Sequence, residues 1–315
     1  MMDEREFLAG RFEEHRTHLK AVAYRMLGSL SEADDAVQEA WLRLARTGGD
    51  DIGNLGGWLT TVVGRVCLDM LRSRRTRGET PLEARLPDPL VGEEGAGAER
   101  QDPERQAMIA DSVGLALLVV LESLNPAERL AFVLHDMFGM PFEEIAPIVD
   151  RTPAAARKLA SRARQRVQGA TPAPNPDPAV RRRVVDAFLT AASGGDLEGL
   201  VAVLDPDVVL RADAGTLLPG GMRVLRGVRE VAGQAATFRR MATAAVGRPV
   251  LVNGAPGLVN TVGGELFSIM SFTVSGERIV AIDILSDPDR LARLDLDGLA
   301  DPGGAAGRDG RRADC

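Results

Sequence analysis

The 315-residue chain carries 45 acidic residues against 38 basic ones, for a formal net charge of -7, and contains only two cysteines. That length allows two or three domains with cores of their own. Two cysteines, Cys67 and Cys315, exclude a disulfide framework and a CxxC metal site and fit a reducing compartment. The longest apolar run, Val113 to Leu121, is far short of the roughly 20 residues of a membrane span. The acidic start MMDEREFLAG lacks the basic and apolar parts of a secretory signal, so a soluble, cytoplasmic protein without membrane contact is expected.

From Arg5 to Arg77 apolar residues recur at helical spacing, interrupted at GSLS (28–31) and TGGDDIGNLGG (47–57), which predicts a small helical domain over 1–78. Within it, SEADDAVQEAWLRL reads as a helix with Ser31 as N-cap and Asp34 three residues on. Ala33, Val37, Ala40, Trp41 and Leu44 form its apolar stripe, and Glu32, Asp35, Gln38, Glu39 and Arg43 face outward. In NLGGWLTTVVGRVCLDMLRSRRTR, Trp58, Leu59, Val62, Val63, Val66 and Met70 share one face, and Arg65 and Arg72 lie on another. Trp58 falls on the apolar arc, where core packing explains it as well as any ligand.

Residues 79–106 are rich in Pro, Gly and Glu, a linker composition. A second helical domain is expected over 107–168. It contains a capping-box start at Asn125 and Glu128, a short helix in PFEEIAPIVD, and a turn at 150–152. The segment RTPAAARKLASRARQRV (151–167) then places six basic residues and no acidic one in seventeen positions. On a helix, Ala156, Leu159, Ala160, Ala163 and Val167 make the buried stripe, Thr152 the N-cap and Pro153 the first turn. A solvated charged helix in a bundle would share the composition. The cap, the turn and the preceding short helix together favour a DNA-binding helix-turn-helix.

Proline at 172, 174, 176 and 178 makes 169–178 a second linker. Residues 179–294 open with helices in VVDAFLTAASGG and DLEGLVAVL, then turn to strand-like runs DVVLRAD, RPVLVNG, GLVNTV, LFSIMSFTVSG and RIVAIDIL. An α+β domain with a mostly antiparallel sheet is expected, followed by a disordered tail over 295–315.

LNPAERLAFVLHDMFGMPFEEIAPIVDRTPAAARKLASRARQRV resembles region 4 of bacterial sigma factors, which reads the minus-35 promoter element. DDAVQEAWLRL is similar to region 2.2, and NLGGWLTTVVGRVCLDMLRSRRTR to regions 2.3 and 2.4. The resemblance implies two all-α sigma domains, and VVDAFLTAASGGDLEGLVAVLDPDVVLRADAG separately resembles the opening of the SnoaL-like or NTF2-like cone fold, which together imply a multidomain protein ending in an α+β cone. The sigma resemblance implies a promoter-specificity subunit of RNA polymerase that binds the clamp coiled coil and the flap of the core enzyme. Asp34, Asp35, Gln38 and Glu39 would dock on polymerase. Asn54, Leu55, Trp58, Arg65, Arg72, Arg74 and Arg75 would hold the minus-10 strand, by base capture beside a cationic track. Thr152, Ala154, Ala155, Arg157, Lys158, Ser161 and Arg162 would meet the minus-35 element. Regions 1.1 and 3 have no counterpart, which places the likeness in the compact extracytoplasmic-function class.

A subfamily of that class carries a fused SnoaL-like extension that regulates in cis. Its WLPEP-type linker motif corresponds to Leu86, Pro87, Asp88 and Pro89 after Arg85, without the tryptophan. Its DGGGK-type motif corresponds loosely to the segment starting at Asp213, and its NPDKL-type motif to Asp287, Pro288, Asp289, Arg290 and Leu291. Asp213 and Asp283 are the carboxylates that an enzyme on this cone fold would use, yet all three histidines, His15, His18 and His135, lie before this domain. No catalytic residue, cofactor or metal is therefore expected, and a small ligand in the cone stays open. Two other readings remain: a stand-alone helix-turn-helix regulator with a ligand-sensing extension, and a SnoaL-like small-molecule enzyme. The linker gives a spatial constraint. About thirty residues span roughly 30 Å as a coil and roughly 100 Å extended, whereas promoter elements about 17 base pairs apart lie roughly 60 Å from each other. An external scaffold is needed to hold both modules at that spacing.

Overall fold

The structure, a computed structural model, describes residues 4–48, 52–76, 85–92, 107–108, 113–170, 174–218, 220–234, 245–294 and 296. Arg77, most of the 79–106 linker and, apart from Leu296, the expected tail lie outside the described residues. By packing, the chain divides into two units: 1–90 with 100–174, and 91–99 with 175–315.

In the first unit, α1 (Glu4–Leu27), α2 (Leu30–Thr47) and α3 (Leu55–Thr76) precede α4 (Leu115–Glu122), α5 (Pro126–Phe132), a π-helical turn (Val133–Met137), α6 (Phe142–Ile145) and α7 (Pro153–Ala170). The stripes read from sequence are the buried ones. Ala33, Val37, Ala40 and Leu44 of α2 and Ala156, Ala160 and Ala163 of α7 are buried, and Trp41 packs half-buried with its ring 5.2 Å from that of Phe12. One continuous apolar cluster draws on α1 to α7 together, from Phe12 through Leu68 and Leu130 to Ala163. Cys67 is fully buried in it, and burial pushes its thiol up to about 12.

Two caps differ from expectation. Helix α2 begins at Leu30 with Ser29, not Ser31, in the N-cap position, and Ser29 makes no side-chain capping bond. The reason is distant in sequence: Asp88 Oδ2 accepts from the Leu30 N–H at 2.9 Å, so a residue of the linker caps the helix. Asn125 is the N-cap of α5 without a side-chain capping bond; its Nδ2 instead donates to Glu128 Oε2 at 3.3 Å, so the two residues of the expected capping box meet through their side chains. The same oxygen of the buried Glu128 also receives Arg166 Nη1 at 2.6 Å. The Thr152 cap forms as expected, accepting from Ala155 N at 3.3 Å.

The second unit places α8 (Pro178–Gly194) and α9 (Leu197–Val203) before a seven-stranded mixed sheet. Its strands are β1 (Val91–Gly92), β2 (Leu204–Asp213), β3 (Met222–Arg226), β4 (Ala245–Val252), β5 (Ala255–Val262), β6 (Glu265–Ser275) and β7 (Arg278–Leu285). The order is β1-β4-β5-β6-β7-β2-β3, antiparallel throughout except for the parallel pair β2–β7. Alternate residues of each strand serve opposite faces. Val208, Leu210, Phe272, Ile282 and Ile284 pack with Val184, Val185 and Phe188 of α8. On the other face Val91, Val250, Val252, Val259, Ile269 and Leu285 gather with Leu291 of the short α10 (Pro288–Leu291). The five strand runs read from sequence are all present. β1 and β3 are additions.

Gly257 sits where three strands meet. A Cβ there would lie 2.5 Å from Val252 Cγ2 and 2.6 Å from the Met270 carbonyl oxygen, and backbone cannot yield cheaply. Gly257→Ala is expected to cost about 1–3 kcal/mol as an overpacking change. In calorimetry the transition of the second unit should fall while that of the first stays put.

Candidate nucleic-acid interface

The six basic residues of 151–167 separate into two groups once their partners are seen. Arg164 donates Nε and Nη2 to Asp136 Oδ1 at 2.8 and 2.5 Å, and Arg166 is bound to the buried Glu128. Both tie α7 to the helices before it. Arg151 and Arg157 are exposed, with Arg151 Nη1 on the Asp150 carbonyl at 2.8 Å and the Arg157 guanidinium 5.2 Å above the Phe142 ring. Lys158 and Arg162 are exposed and make no ion pair among the described residues. Thr152, Ala154 and Ser161 are exposed beside them, and Ala155 is half-buried. The N-terminal half of α7 thus presents small side chains and unneutralised cations over a floor of buried alanines. Asp150, at φ 56, makes the sharp turn that swings α7 away from α6. Phe142 also stacks on His135, with centroids 3.8 Å apart. Arg151 and Phe142 border this surface and were not singled out from the sequence, although Arg151 was counted in the basic cluster.

On α3, Leu55 is buried and Trp58 is half-buried against the shared core. Asn54 accepts from Gly57 N at 3.0 Å and so caps α3. Arg65 is exposed with Nη2 on the Pro147 carbonyl at 3.3 Å, and Arg72 is exposed, 4.0 Å from Asp69. Arg74 is mostly covered and ion-paired to Glu32. The side chain of Arg75 lies outside the described residues. On α2, Asp34 pairs with Lys20 at 2.8 Å and Glu39 with Arg43 at 2.8 Å, whereas Asp35 and Gln38 are exposed.

In the second unit the two extension motifs meet. Asp213, fully buried at the end of β2, accepts from Arg290 Nη1 at 2.6 Å and from Gly215 N at 3.2 Å, and its carbonyl takes Ser286 N at 2.7 Å. Asp287 caps α10 by accepting from Asp289 N and Arg290 N at 3.0 and 3.3 Å. Leu291 anchors in the apolar cluster that also holds Val91, while Pro288 and Asp289 are exposed. Asp283 sits opposite Arg211 in the parallel register and accepts its Nη1 at 2.9 Å, leaving Oδ2 buried without a partner. Burial pushes the Asp283 carboxyl up, against the pull of Arg211. Leu86, Pro87 and Pro89 of the linker are buried and Asp88 is half-buried, all in the first unit. No cluster of three or more His, Cys, Asp or Glu side chains able to hold a metal occurs among the described residues. No helix among them is long and apolar enough to cross a membrane.

Residues 11–77 match the family model Sigma-70 region 2, and residues 114–167 match Sigma-70, region 4. These are the two halves of the first unit. The chain is 35% identical over 296 residues to the probable ECF RNA polymerase sigma factor SigI of Mycobacterium tuberculosis, covering 93% of this chain and 98% of that protein. It is 43% identical over 222 residues to the ECF RNA polymerase sigma factor SigJ of the same species, 70% of this chain and 69% of that one. The crystal structure of M. tuberculosis SigJ aligns at a TM-score of 0.72 with 34% identity, covering 90% of this chain and 98% of that chain. The chain belongs to the extracytoplasmic-function RNA polymerase sigma factors. Its second unit combines helices with a mixed, mostly antiparallel sheet, the α+β arrangement expected of the fused extension.

Two outcomes test these carboxylates. Asp213→Ala removes the buried carboxylate that Arg290 Nη1 donates to and is expected to cost about 3–5 kcal/mol in denaturant unfolding of the second unit, whereas replacing both residues with apolar ones of similar size should cost far less. Asp283 holds its proton more tightly folded than unfolded. Its contribution is therefore fully present below the ordinary carboxylate range and is lost as pH rises through its raised folded value. Asp283→Asn should flatten that part of the stability-versus-pH curve, read as melting temperature from pH 4 upward. An unchanged slope would contradict the assignment.

Proposed function

We propose that this sigma factor directs RNA polymerase to promoters whose minus-35 element is met by the N-terminal half of α7 and whose minus-10 strand is held along α3. The supporting observation is the sorting of cations on α7. Arg164 and Arg166 are consumed by Asp136 and Glu128, while Arg151, Arg157, Lys158 and Arg162 stay on the surface beside the small residues Ala154, Ala155 and Ser161. Such a surface lets backbone and charge approach a groove together. The exposed Asp35 and Gln38 of α2, with Asp34 and Glu39, form the docking face for the polymerase clamp coiled coil, and region 4 addresses the flap. The protein acts in the cytoplasm.

The extension acts in cis and not as an enzyme. What supports this is that the two carboxylates an enzyme on this fold would use are each ion-paired to an arginine, Asp213 to Arg290 and Asp283 to Arg211. The linker supports it too: Leu90 is buried in the core of the first unit and the next residue, Val91, in the core of the second. Leu86 to Pro89 and Asp287 to Leu291 are the segments through which the extension biases the sigma core.

Purified chain mixed with core polymerase and a promoter library is expected to give open complexes only when polymerase is present. Footprints without polymerase would favour a stand-alone regulator. Lys158→Ala and Arg162→Ala should each weaken promoter binding and lower the slope of log affinity against log salt by about one. Arg164→Ala should leave that slope nearly unchanged. Equal slopes for all three variants would contradict the sorting.

A further inference from the structure

Regions 2 and 4 are joined in this structure by a single core, and their seam is built around the turn between α1 and α2. Arg129 on α5, only 2% exposed, donates Nε and Nη2 to the Arg25 carbonyl at 3.0 and 2.9 Å, and Nη2 also reaches Glu122 Oε1 at 2.8 Å. The Arg25 carbonyl belongs to the last turn of α1, where carbonyls lack helical partners. Glu122 lies against Gly28, which holds φ 70 and whose added Cβ would collide with Glu122 Oε1. The linker closes the other side of the turn. Pro87 Cβ is 3.6 Å from where that Cβ would stand, Asp88 N donates to the Gly28 carbonyl at 2.8 Å, and Tyr24 Oη donates to the Asp88 carbonyl at 2.5 Å.

The seam covers α3. A Cβ on Gly64 would meet Leu134, Leu130 and Ile148 at 3.5–3.7 Å, and Arg65 reaches the carbonyl of Pro147. Modules packed in this way cannot also stand roughly 60 Å apart on a promoter. A buried ion pair is weak evidence for stability and better suited to fixing one arrangement among several. Glu122 Oε2, buried without a partner, shows a contact that is specific but not saturated.

We propose that the Gly28 turn, gripped by Arg129 and Glu122 on one side and by Pro87 and Asp88 on the other, is a lock that keeps the two DNA-binding modules closed until polymerase separates them. This rests on the reading that regions 2 and 4 address separate promoter elements.

The test uses the full chain with spin labels at Asp69→Cys and Gln165→Cys, both exposed positions on α3 and α7. Cys315→Ser removes the competing thiol, and Cys67 stays because its buried thiol does not react. The wild-type background is expected to give one narrow distance by pulsed dipolar spectroscopy. Arg129→Met and Gly28→Ala should each give a broader, longer distribution and bind core polymerase about tenfold more tightly, since no closure is left to break. Should either variant fail to fold, Asp88→Ala, which removes the Oδ2 bond to the Leu30 N–H and leaves the backbone bonds of Asp88 to Gly28 and Tyr24 in place, is expected to broaden the distribution partially. A broad distribution in the wild-type background, or a narrow one in every folded variant, would overturn the lock. Absence of any polymerase binding by a chain with the expected narrow distance would overturn the functional reading instead.

Discussion

A fully buried arginine is expensive to desolvate, and Arg129 repays that cost only by reaching a carbonyl of α1 and a carboxylate of α4 at the same time. The rest of the first unit follows from satisfying it. Helix α5 must lie on the C-terminal turn of α1, the α1–α2 turn must have glycine at position 28, and Glu122 must point inward from α4. Around this polar centre Leu19, Leu27, Leu59, Val63, Leu68, Leu118, Leu130 and Leu134 close into one cluster. Each half of the unit is short, and small domains bury too little surface to be secure alone. Sharing a core meets that need in the free protein, and it is also what makes closure the ground state of the chain.

The same economy explains the extension's link to the rest. Among the described residues of the linker, Val91 and Gly92 pair with β4 at the edge of the sheet and place Val91 with Leu291 in one apolar cluster. Asp213, Arg290 and the Asp287 cap hold α10 against that face. A charge network of this kind contributes more to the fixed position of one short helix than to overall stability.

The regular parts of this architecture were legible in the sequence because they are local. The alanine stripe of α7 follows from a period of 3.6, and the strands of the extension from dense apolar runs bounded by glycine. What sequence did not disclose is set by contacts far along the chain. Ser31 had the right chemistry for an N-cap, but α2 is capped by Asp88, 58 residues away. Glu128 stood in capping-box position and does meet Asn125, but it also answers Arg166 across the helix-turn-helix. The strand at Val91–Gly92 sits in a segment whose composition reads as linker, and only its pairing with β4 makes it a strand. Among the candidate site residues the type of chemistry was visible and its availability was not. Arg164 and Arg166 read like Lys158 and Arg162 until their partners Asp136 and Glu128 are seen, and Arg74 is drawn to Glu32.

Hydrogen exchange of the free protein bears most directly on the shared core. If regions 2 and 4 are one body, slow amides of α3 and of α5 exchange through the same opening, with matching free energies and matching sensitivity to denaturant. Two distinct free energies, with the helices of region 4 opening while α1 to α3 remain protected, would mean that the modules are independent and that nothing holds them closed.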